Sequence, residues 1–395
     1  MYIYKKIKPF APWPYFGQEE IEASSKVLTS GKVNYWTGIE GREFEKEFAS
    51  FVGVKYAIAV MNGTVSIDMA LHALRIPRGA EMIVTSRTFV ASASPAAIRG
   101  IKPVFADIDP VTQNISAATI EPLITSHTKV ILAVHLAGWP CPMDEIMDLA
   151  NKYGLKVIED CAQSHGSLYK GKPVGSWGHI NSFSFCQDKQ MTTGGEGGML
   201  TTDDQELWSR AWSYKDHGKS YDAVYNRQHP PGFRWLHESF GTNYRMTEIQ
   251  SAIGRVLLRK LPEWNERRRH FAHLMNASFS EIPALRVTIP PDEVHHTYYK
   301  YYVFVRPELL KDGWDRDRIM VEVSKLGIPC FSGSCSEIYL EKVFERCALQ
   351  PFERLPIAKE LGDTSLMFLV HPTLEEENIQ DTILVVQHVL KQASK

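Results

Sequence analysis

The order of apolar and polar positions divides the chain into two stretches of different character. In the first, short and continuously apolar runs alternate with segments whose apolar residues recur at helical spacing. Tyr56 to Met61 (YAIAVM) reads as a buried strand, followed by a helix over Val65 to Leu74. Glu81 to Thr85 reads as the next strand, with a helix over Val90 to Arg99. Ile101 to Ala106, Val130 to His135, Lys156 to Glu159 and Asn181 to Phe185 are further strands, and Asp144 to Tyr153 is the helix before Lys156. Strands that are apolar throughout are expected where helices cover both faces of a sheet. Their alternation with helices predicts an α/β domain with a mostly parallel sheet.

Beyond Met246 the pattern changes. Met246 to about Phe279 reads as one long helical stretch, interrupted or bent near Pro262, whose ring removes a donor and crowds the preceding turn. His296 to Val305 (HTYYKYYVFV) alternates its faces as a strand does. Arg316 to Leu326 and Glu375 to Lys391 read as amphipathic helices. A smaller C-terminal α+β domain over 261–395 is therefore expected, after a larger domain over 1–260, with the boundary inside the long helix.

A chain of 395 residues, 44% hydrophobic and 23% charged, can bury a substantial core unaided. Its 44 basic and 46 acidic residues leave a net charge of −2, with no footprint for nucleic acid or an anionic membrane. The short, locally basic stretch Glu266-Arg267-Arg268-Arg269-His270 reads as the wet face of a helix. Without a run of about 18 apolar residues, no transmembrane helix is expected. Met1 to Lys8 lacks the apolar core of a signal peptide. The 6 cysteines have no zinc spacing and read as free thiols. A cytoplasmic protein without a metal site is expected.

The chemistry concentrates between Val157 and Met199. A strand ends at Asp160, where α/β sheets place their ligands. A second strand is followed by Ser184, Lys189 and the turn Gly194-Gly195-Glu196-Gly197-Gly198, whose glycines imply positive φ or a close approach. An isolated aspartate or lysine carries little information, but the pair does. A lysine amine can form a Schiff base with a carbonyl. A carboxylate keeps a pyridine nitrogen protonated, so that the ring acts as an electron sink. Asn62-Gly63-Thr64 lies between a strand and a helix, where a phosphate can meet helix N–H groups. Its alternative reading is an ordinary helix start with Thr64 as the cap. Ser184 offers a further hydroxyl. Phe89, just past a strand, either stacks on a flat ring or packs the core.

Leu28-Thr29-Ser30-Gly31, Asn62-Gly63-Thr64, Thr88-Phe89-Val90-Ala91-Ser92, Glu159-Asp160-Cys161-Ala162-Gln163, Lys189, the glycine turn and Asn243-Tyr244-Arg245-Met246 together resemble the pyridoxal-phosphate (PLP) aminotransferases of the DegT/DnrJ/EryC1/StrS family, which act on keto-sugars. The resemblance spans nearly the whole chain. It implies the type I aminotransferase fold and a homodimer with sites at the interface. It also implies PLP as cofactor, with Lys189 as the Schiff-base lysine and proton shuttle and Asp160 on the pyridinium nitrogen. Gln163 would bond the ring oxygen, Phe89 would stack, and Gly63, Thr64 and Ser184 would hold the phosphate. Asn243 would reach the neighbouring subunit's phosphate.

L-glutamate as donor and a keto- or aldehydo-sugar as acceptor follow from the same resemblance. Some members are dehydratases with histidine in place of the lysine; Lys189 favours transamination. A non-catalytic regulatory protein of the same fold would leave the Asp160 and Lys189 pair idle. Members acting on nucleotide-linked hexoses often carry a histidine in a C-terminal loop. Here that loop, Cys330 to Tyr339, has none. It resembles instead the branch that converts 8-oxo-Kdo to 8-amino-3,8-dideoxy-manno-octulosonate for lipopolysaccharide.

Overall fold

The computed structural model describes residues 7–395. Met1 to Lys6, most of the run read above as lacking a leader's apolar core, lie outside these. The larger unit is built on seven strands: β1 (Tyr56–Val60), β2 (Glu81–Thr85), β3 (Lys102–Ala106), β4 (Thr128–Val134), β5 (Lys156–Asp160), β6 (Ile180–Ser184) and β7 (Gly198–Thr202). Their order in the sheet is β1-β7-β6-β5-β4-β2-β3. The run from β6 to β3 is parallel. β7 is antiparallel to both of its neighbours. The sheet is thus mixed and mostly parallel.

Both faces are covered, as the apolar runs require. Side chains alternate along each strand: Ile58 and Val60 enter one core with Leu132 and Ile158, while Ala57 and Ala59 enter another with Phe183 and Met199. Ile131, Ala133 and Val157 fill a third. Each fully buried Val, Ile or Leu contributes roughly 1.5–3 kcal/mol. β7 (GMLTT) is a strand that the pattern did not predict, because three of its five residues are glycine or threonine. All five are nonetheless buried, held between β1 and β6.

Three expected elements differ from the structure. The helix read over Val90 to Arg99 is a 3₁₀ turn, Val90–Ser92, followed by a short helix, Ser94–Ile98. Pro95 has no N–H to donate back into the turn, so a continuous helix breaks there. The strand read from His296 is confined to Tyr301–Val305, because Tyr298 takes a positive φ of 44° and turns the chain. The long helix runs unbroken over Glu248–Phe279 with Pro262 inside it. Packing on both sides offsets the lost hydrogen bond.

That helix belongs to two cores. Leu257, Leu258 and Leu261 pack with the large unit. Phe271, Ala272, Met275 and Phe279 pack with the small one. The small unit's sheet comprises β8 (Leu285–Val287), β9 (Tyr301–Val305), β10 (Cys330–Phe331) and β11 (Ser365–Phe368), in the order β8-β9-β11-β10 with antiparallel pairing. The expected division at residue 260 assigns the first residues to the large unit, whereas Ile7 and Phe10 pack on the small unit's core. No helix among the described residues is long and apolar enough to cross a membrane.

Candidate active site

The C-terminal ends of β1, β2, β5 and β6 open on one cavity of about 330 Å³, lined by Gly63, Thr64, Phe89, Asp160, Gln163, Ser184 and Lys189 among others. Seven of the eight residues predicted from the sequence therefore meet in one place. The eighth, Asn243, is exposed outside that lining and bridges to Asp216.

Asp160 ends β5 and is buried. Its Oδ2 accepts from the Ser92 hydroxyl at 2.8 Å and its Oδ1 from the Ala162 N–H at 3.1 Å. Burial pushes this carboxyl above its ordinary pKa; the two hydrogen bonds, Lys189 and His135 offset only part of that. A buried carboxylate in this condition is matched to a cation such as a protonated ring nitrogen. Gln163 accepts the Ala137 N–H on Oε1 at 2.9 Å, which leaves its Nε2 hydrogens for a ligand. Phe89 is 68% exposed, so the core-packing alternative fails and the ring stands free at the cavity edge.

The opposite end suits a phosphate. Asn62, not Thr64, caps the helix Gly63–Ala73, accepting the Val65 N–H at 3.0 Å. The first-turn N–H groups of Gly63 and Thr64 have no partners within the helix. A Cβ on Gly63 would lie 2.7 Å from Ser184 Cβ, so only glycine lets the helix start approach β6 this closely. The glycine turn has related reasons. Gly194 and Gly195 have φ of 87° and 122°, and a Cβ on Gly198 would lie 2.6 Å from the Asn62 backbone. Glu196, within the glycine turn, is exposed and lines the cavity.

Lys189 is half-buried. Its main chain is pinned: the carbonyl accepts from Trp13 Nε1 at 3.0 Å, and the N–H donates to Cys186 at 3.1 Å. Trp13 is wedged by Trp264, edge-on at 5.2 Å, and by His371 at 6.0 Å. The Lys189 amine faces the Tyr299 ring at 5.1 Å. The Tyr299 hydroxyl donates to Asp188. Partial desolvation raises the Asp188 carboxyl, but Lys189, Tyr299 and Lys300 together hold it below its ordinary pKa.

A second chamber, about 470 Å³, opens beside Phe89, Gln163 and Lys189 and is walled by Tyr299, Lys300, Ser334 and Cys335. The loop after β10 forms this wall and is tied down at several points. The Thr88 N–H donates to the Cys335 carbonyl at 3.1 Å, and the Ile338 N–H to the Ser86 carbonyl at 3.0 Å. Buried Arg87 donates to Ser336 at 2.7 Å and to Ser365 at 3.0 Å. The Tyr302 hydroxyl accepts the Ser334 N–H at 2.8 Å.

Trp13, Ser92, Tyr299 and Lys300 were missed by the sequence reading. The alternation of the tyrosine run reads only as a strand, and nothing in the sequence ties Trp13 to Lys189. His135 and His165 are structural. His135 donates from Nε2 to Glu159 at 2.9 Å, with its Nδ1 accepting the Cys141 N–H. His165 bonds Gln190 at 3.0 Å. In the buried group of His135, Glu159 and Cys161, the His135 and Glu159 side chains are engaged within the fold: Glu159 also accepts the N–H groups of Gly175, Trp177 and Gly178.

An uncompensated carboxylate, a lysine amine, an open aromatic face and a glycine cradle at a helix start together fit pyridoxal phosphate. On this sheet they define a PLP-dependent aminotransferase of the type I fold. The comparisons are specific. The chain belongs to the DegT/DnrJ/EryC1/StrS aminotransferase family, whose profile matches residues 14–387. It is similar to an aminotransferase from Psychrobacter cryohalolentis of known structure, with 54% identity, a TM-score of 0.96 and coverage of 97% of this chain and 99% of the other. It is 35% identical to GDP-perosamine synthase of Escherichia coli O157:H7 over 91% of each chain. It is 32% identical to the spore coat polysaccharide biosynthesis protein SpsC of Bacillus subtilis (strain 168), over 98% of this chain and 99% of that one.

Proposed function

We propose that the protein transfers the amino group of L-glutamate to a keto- or aldehydo-sugar used in cell-surface polysaccharide or lipopolysaccharide synthesis, acting as a cytoplasmic homodimer. The observation that carries this is the meeting of Lys189 and Asp160 in one cavity, with the Gly63 and Ser184 cradle at its far side. The kinship to GDP-perosamine synthase and to a polysaccharide biosynthesis protein supports a sugar as the acceptor.

The residues divide the work. Bound here, pyridoxal phosphate supplies an electron sink for the charge left when the donor loses its α-proton. The Asp160 carboxylate holds a proton on the ring nitrogen. Gln163 donates from Nε2 to the ring oxygen. Phe89 covers one ring face and excludes water. Gly63, Thr64 and Ser184 direct N–H and hydroxyl groups at the phosphate. Lys189 Nζ would serve as the base that takes the proton from the donor's α-carbon and returns it at the cofactor's C4′, and with the sugar carbonyl it would run the same transfer in reverse. The amine at 189, where related dehydratases have histidine, favours this over loss of water.

The segment before Asn243 supports a dimer. Phe233, Trp235 and Phe240 are 75%, 83% and 98% exposed, and an aromatic face of this kind marks an association surface. Asn243 follows this face in the chain and is exposed; by the family resemblance it would reach the partner's phosphate. The acceptor is either a nucleotide-linked 3- or 4-keto-hexose or 8-oxo-Kdo; the histidine-free loop keeps the acid sugar in play. Incubation with 15N-labelled L-glutamate and each candidate, read by mass spectrometry, tests the assignment. A labelled amino sugar is expected from one of them. Dehydration without label, or no reaction with any keto-sugar, would refute it.

A further inference from the structure

Lys300 carries a charge that the mechanism above does not use. It lies on the turn leading into β9 and lines the chamber that opens beside Lys189. Both amines approach the Tyr299 ring, with Lys189 Nζ 5.1 Å and Lys300 Nζ 4.7 Å from its centroid. The amines are therefore no farther apart than those two distances combined. Among the described residues, Lys300 makes no hydrogen bond or ion pair.

The charges around it do not balance. The Asp188 carboxylate acts on the Lys300 amine, while Arg268 and Lys189 both add positive field. The Asp188 carboxylate is already engaged by the Tyr299 hydroxyl. Arg268, expected on a wet helix face, is instead buried on the inner side of the long helix, and its Nε and Nη2 have no hydrogen-bond partner. Glu341 also lines the chamber, but at an exposed position. Burial lowers the Lys300 amine to about 8, with Asp188 opposing that shift. Cations crowded into a half-closed chamber with one occupied carboxylate leave room for a second anion.

We propose that Lys300 receives a carboxylate of the substrate, and so selects molecules that carry one within a few bonds of the carbon being aminated. This rests on the aminotransferase reading, because Lys189 fixes where that carbon sits. A carboxylate suits the place: it is compact, and an ammonium binds it as a point charge without the planar fork an arginine would need. Two substrates could supply it, the amino donor or an acid sugar, and the same amine serves either in turn as the reaction alternates.

The test compares the wild-type holoenzyme with Lys300→Met and Lys300→Arg. Glutarate, an unreactive dicarboxylate, is titrated by calorimetry. The methionine variant is expected to bind it about tenfold more weakly or worse, and the arginine variant to stay within a few-fold of wild type. Circular dichroism and cofactor absorbance establish that each variant is folded and loaded. Two kinetic arms then identify the source. In one, L-glutamate discharges the cofactor absorbance. In the other, the pyridoxamine form meets a nucleotide-linked keto-hexuronate or its uncharged keto-hexose counterpart.

A raised KM for L-glutamate in Lys300→Met assigns the donor's carboxylate. A loss confined to the hexuronate assigns the acceptor's. Equal glutarate affinity in all three proteins, with both arms unchanged, overturns the proposal and leaves the aminotransferase intact. Wild-type enzyme that never discharges its absorbance with L-glutamate, or never aminates a sugar, counts against the underlying activity instead.

Discussion

Glu159 and Asp160 are consecutive on β5 and face opposite sides of the sheet. Glu159 turns inward, where His135 and three backbone N–H groups saturate it. Asp160 turns to the cavity, where one hydroxyl and one N–H leave it short of a cation. Their substitutions should therefore separate cleanly. Glu159→Gln should cost about 3–5 kcal/mol of stability in urea titration, as breaking a buried network does. Asp160→Asn should leave the melting curve close to wild type while lowering kcat by about 100-fold or more, since only the held proton is lost.

Lys189→Ala should abolish turnover and the long-wavelength absorbance of the bound cofactor, with far-UV circular dichroism unchanged. Half-buried and held through its main chain, the residue contributes little packing through its side chain. Residual transamination above about one part in a thousand would count against its role.

Gly63→Ala places a methyl group 2.7 Å from Ser184 Cβ. The helix start must then back away from β6, and the phosphate cradle widens. Cofactor affinity, followed by absorbance on reconstitution, should fall about tenfold or more, a cost on the order of 1–3 kcal/mol for forced overpacking.

Trp13→Phe keeps the contact with Trp264 but removes the hydrogen bond to the Lys189 carbonyl. A net loss of about 1 kcal/mol is expected for that bond. A looser Lys189 should appear as a few-fold lower kcat with KM nearly unchanged, measured by coupled assay.

Three buried histidines set an acid limit. Burial lowers His165 to about 4 and His371 to about 3, and holds His296 well below its ordinary value. Each stays neutral in the fold but gains a proton in the unfolded chain below about 6.5. The unfolded state then binds more protons, so stability rises with pH through this window and falls as the solution is acidified. Denaturant titrations at pH 7 and 5 should differ by on the order of 1–2 kcal/mol per histidine. Replacing His165 with Asn should flatten the slope.

Much of this was legible in the sequence. β1 to β5 announced themselves through their short apolar runs, and β6 through its place between Asp160 and Lys189 rather than its composition, since Asn181, Ser182 and Ser184 are polar. β7 did not, because its threonines are buried by sheet neighbours that the local pattern cannot see. Asp160, Lys189 and the Gly63 cradle were readable because their chemistry recurs at fixed places relative to strand ends. Lys300 and Trp13 were not, since each gains its meaning from a partner far along the chain: Trp13 touches Lys189 only after the N-terminal segment has folded back. Phe89 was ambiguous until its exposure was known.

The wall of the second chamber comes from the loop after β10, yet it is fastened to the segment Ser86–Thr88 that immediately precedes Phe89. The floor of the Lys189 cavity and the wall of the second chamber thus belong to distant stretches of chain, clipped together chiefly along the seam Ser86–Thr88. Evolution can redraw the wall, residue by residue, while the seam keeps the floor in register. A common catalytic base and a variable choice of sugar can in this way coexist on one scaffold.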